Sequence, residues 1–92
     1  MPDEHVSRIV SLKVARRLRD ERLRRGLSTR SLAEKAGLSQ PMISYVERGM
    51  RIPTLETALR IAGALNIDLW KVIRLACMNT PDAKKFRPTI PR

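Results

Sequence analysis

"SQPMISYVERG", residues 39–49, decides how this chain is read. Ser39 is a helix N-cap, Pro41 falls in the first turn where a missing N–H costs nothing, and Gly49 ends the run. At about 100° per residue, Ile43, Val46 and Glu47 share one side of that helix. Pro41, Ser44, Tyr45 and Arg48 fall on the other. A carboxylate on a core-facing stripe is costly unless another group pairs with it. The partner of Glu47 has to come from elsewhere in the chain.

Working outward, Ser28 is the N-cap of a short helix, Thr29 to Ala36, which Gly37 closes in the left-handed conformation. Two helices joined by a turn at Gly37 form a helix-turn-helix pattern. Small Ala33, four residues before that glycine, permits close approach, and Leu32, Ile43 and Val46 fill the space between. Upstream, a helix begins near Asp3 as N-cap and is firm from Leu12 to Arg25. Val14, Leu18 and Leu23 form its apolar face, and Gly26 stops it. Downstream, Thr54 caps a helix running to about Leu65, Asn66 takes a left-handed turn, and Asp68 caps a last helix, Leu69 to Met78. Beyond Asn79 come three prolines and four basic residues among few apolar ones, the composition of a tail without fixed structure when alone. The fold class is all-α, with five short helices. Residues 1–11 are an extension of the first helix or a flexible arm, 12–78 the helix-turn-helix domain, and 79–92 a basic, proline-containing tail.

Composition narrows the function. With 42% hydrophobic residues but only 3% aromatic, the core must be aliphatic. A formal charge of +10 on 92 residues suits a polyanionic partner, either nucleic acid or an acidic membrane surface. The first helix has a narrow apolar stripe without an aromatic anchor, which argues against the membrane. No run approaches the roughly 18 apolar residues of a membrane span, and the N-terminus lacks the pattern of a signal peptide. A soluble, cytoplasmic protein is expected. Cys77 is the single cysteine, so an internal disulfide or a cysteine-based zinc site is impossible, and a buried small hydrophobe is its expected role. His5 is the one histidine. With no glycine-rich phosphate loop, metal cluster or acid pair, the chain is not expected to be an enzyme or to need a cofactor.

The run from Val14 to Val72 resembles the Cro/cI-type helix-turn-helix family, often called the Xre family, of phage and bacterial repressors. "LAEKAGLSQPMIS", "ERG" and "PTLETALRIAGAL" carry the likeness. It implies a lambda-repressor-like domain of five helices that binds double-stranded DNA and regulates transcription, most often as a repressor. In the family an arginine of the first helix pairs with the glutamate of "ERG". Arg22 holds that place here, so the resemblance implies an Arg22–Glu47 ion pair. A glutamine often opens the family's second helix, binding phosphate and bracing the recognition helix. Thr29 stands there in this chain, and its shorter side chain puts the brace to Gln40 in doubt.

With Glu47 turned inward, the opposite face can enter a major groove. Gln40 suits adenine N6 and N7, Pro41 a thymine methyl, and Ser44 and Tyr45 lie one turn further on. Phosphate contacts are expected from Thr29, Arg30, Ser39, Arg48 and Arg51, at helix starts or beside the groove-facing side. One such helix reads few base pairs, so a palindromic operator bound by a homodimer is expected. The last helix offers Leu69, Trp70, Ile73, Leu75 and Cys77 for dimerisation. The tail is a candidate grip for a protein partner, as in the antitoxin of a toxin–antitoxin pair. A restriction-system controller is the other alternative. Neighbouring genes would separate these readings.

Overall fold

The computed structural model describes residues 2–86. Helices α1 (Pro2–Arg24), α2 (Thr29–Ala36), α3 (Gln40–Glu47), α4 (Leu55–Ala64) and α5 (Leu69–Met78) are followed by a 3-10 helix, Pro81–Phe86. Among the described residues there is no strand.

Each short helix starts where a side chain can satisfy an orphan backbone donor. The Ser28 hydroxyl accepts from Ser31 N–H, Ser39 from Met42 N–H, and Thr54 from Thr57 N–H. Asp68 stands at the N-cap of α5, yet its carboxylate makes no capping bond; its backbone carbonyl accepts from Lys71 and Val72 instead. Gly37 closes α2 at φ +68°, and a Cβ there would lie 3.1 Å from an Arg60 guanidinium nitrogen. Conformation and space both favour glycine at the turn between α2 and α3. Asn66 takes the left-handed conformation at φ 56°, as its sequence position suggests.

The core is aliphatic. Leu18, Leu32, Ile43, Val46 and Leu65 are its most enclosed large side chains, joined by Cys77. Ala33 is 3% exposed, which lets α2 and α3 pack closely across the turn. Leu23, in contrast, is 52% exposed and contributes nothing to the core.

Two features extend the domain at its ends. α1 runs 23 residues, about 35 Å, well upstream of Leu12. Val6, Val10, Val14 and Leu18 recur every fourth residue and continue one apolar stripe along it. Residues 80–86 do not hang free as the composition suggested. Thr80 is buried, its hydroxyl donating to Ala76 O at 2.9 Å, and Ala83 is completely enclosed in the core. Lys13 of α1 reaches across to Asn79 O and the Thr80 hydroxyl, both at 2.7 Å. The expectation of an unstructured tail from residue 79 is therefore wrong up to residue 86; the remainder of that expectation, residues 87–92, lies outside the described part of the chain.

Candidate nucleic-acid interface

The side chain of Glu47 is buried to 8% exposure, and Arg22 of α1 meets it with a fork. Arg22 Nε donates to Oε2 at 2.7 Å and Nη2 to Oε1 at 2.8 Å. Its remaining terminal nitrogen, Nη1, donates to Leu27 O at 2.7 Å. Both carboxylate oxygens and all three guanidinium nitrogens are therefore engaged, the condition under which a buried pair tolerates desolvation. The hydrogen bond to Glu47 is the main influence raising the Arg22 pKa, its negative charge adding to this against the lowering effect of burial. Mechanically, the pair pins the C-terminal end of α3 to α1.

The N-terminal end of α3 has its own attachment. Gln40 Nε2 donates to Thr29 Oγ1 at 3.0 Å. The short threonine does reach the glutamine, contrary to the concern raised by its length, because close α2–α3 packing brings the two helix starts together. This bond uses one amide proton of Gln40. Its other N–H and its carbonyl oxygen stay available to a base edge.

Between these attachments α3 turns Gln40, Pro41, Tyr45 and Arg48 to solvent, with Ser44 half-buried among them. Tyr45 is 43% exposed and takes no part in the core. Of the surrounding candidates, Thr29 shares a cleft with Ser44 and Arg48. Thr29 opens α2, and the exposed Arg30 is 3.7 Å from Glu34, an exposed pairing that holds it only loosely. The Ser39 hydroxyl accepts its capping bond and keeps its own proton to donate. Arg51 follows α3 in an exposed loop, its backbone N–H bonded to Tyr45 O at 3.2 Å. A cleft of about 440 Å³ joins Thr29, Ser44 and Arg48 to Arg22, Glu47 and Arg19. Arg19 was not singled out from the sequence. Counting back three residues from Arg22 places it one turn away on the neighbouring side of α1, a signal available once Arg22 is known to face inward.

The five residues considered for dimerisation separate into three groups. Leu69 and Cys77 are buried at 6% and 2%, and so belong to the chain's own core. Ile73 is half-buried, lining the seam of α1, α4 and α5 with Val10, Val14 and Leu55. Trp70 and Leu75 are 53% and 50% exposed and form one outer face with Met78, Lys71 and Arg74. Arg74 places its guanidinium carbon 5.7 Å from the Trp70 ring centroid, within cation–π range. The burial expected of Cys77 is found, and it rules Cys77 out, together with Leu69, as a dimer contact, a role the sequence also suggested for both.

Among the described residues no helix is long and apolar enough to cross a membrane, and no group of His, Cys, Asp and Glu is placed to hold a metal ion.

Comparison with known proteins agrees with this geometry. Two HTH-type transcriptional regulators of Mycobacterium tuberculosis, uncharacterized in their own right, are each 41% identical over 51 residues. The match takes in 55% of this chain and 36% of theirs. The HTH-type transcriptional regulator DdrOP3 of Deinococcus deserti is 39% identical over 58 residues, 63% of this chain and 45% of that protein. The chain thus spans less than half the length of the curated relatives it matches. Residues 18–69, from the middle of α1 to the start of α5, match the helix-turn-helix family, and they contain the fork, the turn at Gly37 and the whole exposed face of α3. On that match, over more than half of its length, this chain belongs to the Cro/cI-type (Xre) helix-turn-helix family of regulators.

Proposed function

We propose that the chain binds double-stranded DNA in a sequence-specific manner and regulates transcription, acting as a repressor by occupying an operator. The observation that carries this reading is the two-point mounting of α3. The Arg22–Glu47 fork at one end and the Gln40–Thr29 bond at the other leave a rigid helix whose outer side holds base-reading side chains. α3 enters the major groove, where Gln40, Pro41, Ser44 and Tyr45 meet base edges. Thr29, Arg30, Ser39, Arg48 and Arg51 hold the backbone. A homodimer pairs through the exposed Trp70–Leu75 face of α5, without Leu69 and Cys77. Its two reading heads address a palindrome with half-sites about one helical turn apart. The antitoxin and restriction-controller readings use the same interface, with the α5 face or the residues beyond 86 gripping a protein.

Selection from a randomised duplex library, repeated at two salt concentrations, tests the proposal. A palindromic consensus is expected. Enrichment of no sequence, with steep salt sensitivity, would show that the charge grips DNA without reading it.

A further inference from the structure

The arginines of α1 are not equivalent. Glu21 is buried to 8% side-chain exposure and draws three of them: Arg24 at 2.7 Å, Arg17 at 3.4 Å and Arg25 at 3.8 Å. Arg16 and Arg19 are different. Both are exposed, and among the described residues neither forms an ion pair. The same holds for Arg48 at the end of α3.

Two clefts run along the border of α1 and α3, and Arg48 lines both. In one, of about 340 Å³, it faces Arg16; in the other, of about 440 Å³, it faces Arg19. Glu47 lines both clefts as well, but both its oxygens are held by Arg22, so it neutralises no second cation. Lys13, on the rim of the first cleft, is turned away to Asn79 and Thr80. What is left is three guanidinium groups, Arg16, Arg48 and Arg19, that line two adjoining clefts and form no ion pair among the described residues; Asp20, which lines a further cleft with Arg16, does not pair with it. Like charges gathered at one border favour a polyanion there. Ser44 and Thr29 add hydroxyl donors to the Arg19 side, and Ser44 also belongs to the groove-facing side of α3. The clefts therefore lie directly beside that face.

We propose that Arg16 and Arg19 of α1, with Arg48 between them, form a ridge that takes successive phosphates of one DNA strand flanking the major groove. This rests on the DNA-binding reading above and extends the interface to a helix outside the helix-turn-helix pair. The fork geometry of arginine matches phosphate oxygens, and such contacts add affinity and register without sequence information.

The test is the salt dependence of binding to a mixed-sequence duplex two helical turns long, followed by fluorescence anisotropy. Each phosphate contact contributes about 0.9 to the slope of log affinity against log salt. Arg16→Gln and Arg19→Gln should each flatten the slope by about that amount, and the double variant by about twice as much. Arg19→Lys should keep the slope. Arg17→Gln removes the same charge from the same helix, but on the side tied to Glu21, and should leave the slope unchanged. If Arg19→Gln and Arg17→Gln behave alike while the wild-type chain binds with a steep slope, the ridge is wrong and DNA binding stands. If the wild-type chain shows no salt-sensitive binding to any duplex, both fall together.

Discussion

Glu47 sits among apolar neighbours because it is a fastening point. Removing one partner leaves the other buried and unpaired, so Glu47→Ala should cost about 3–5 kcal/mol in a urea melt. Stability equal to wild type would contradict this. Because its pKa is raised in the folded state, the Arg22 contribution is fully present below the unfolded pKa and is lost only as pH rises through the folded one. That window lies at the alkaline extreme, so the arginine side of the fork does not titrate in ordinary buffers. Gln40 and Arg51 should separate reading from gripping. Gln40→Ala is expected to lose about 1–3 kcal/mol on the cognate site and little on random DNA, whereas Arg51→Ala should weaken all sequences alike and flatten the salt slope by about one ion. Identical sequence profiles for the two variants would remove the distinction. Helical periodicity was enough to show Glu47 facing inward. It could not show the Gln40–Thr29 bond, which depends on how closely two helix starts approach and not on either helix alone.

α5 has one buried face and one exposed face, and the dimer proposal assigns the exposed one to pairing. Leu75→Glu should leave the thermal midpoint near that of wild type and shift the mass in sedimentation equilibrium to a monomer. Leu69→Ala should instead destabilise the fold by about 2–5 kcal/mol, because its side chain is in the core. A Leu75→Glu chain that still sediments as a dimer would place the dimer contact elsewhere. The segment after α5 makes a second contrast. Ala83→Asp would bury an unpaired carboxylate and should cost about 2–4 kcal/mol, an effect that a solvated tail would not register. Thermal unfolding decides between them. Caps and glycines in the sequence marked the short helices well, since serine, threonine and glycine act locally at those ends. The closure at residues 80–86 was hidden because it rests on one alanine and one threonine. Neither carries a periodic signal, and the Lys13 contacts that reach Asn79 and Thr80 span 66 and 67 residues of sequence.

Across the whole molecule, the net charge of +10 is sorted as well as large. Acids pair off arginines on α1, α2 and α4, while Arg16, Arg19 and Arg48 form no ion pair among the described residues. Composition announced a polyanionic partner but not which face would meet it. That distribution emerges only when Glu21 and Glu47 are seen to be occupied. The enclosure of Cys77 has a consequence at the same scale. With its one thiol sealed inside, the chain cannot be stapled to a second copy by oxidation. Pairing along α5, on the dimer reading, is then a reversible mass-action step. The population of paired molecules rises as the square of the free chain while dimers are scarce. On the dimer and operator reading proposed above, the chain takes a census of itself: its own copy number, not a redox bond between copies, sets when the operator fills.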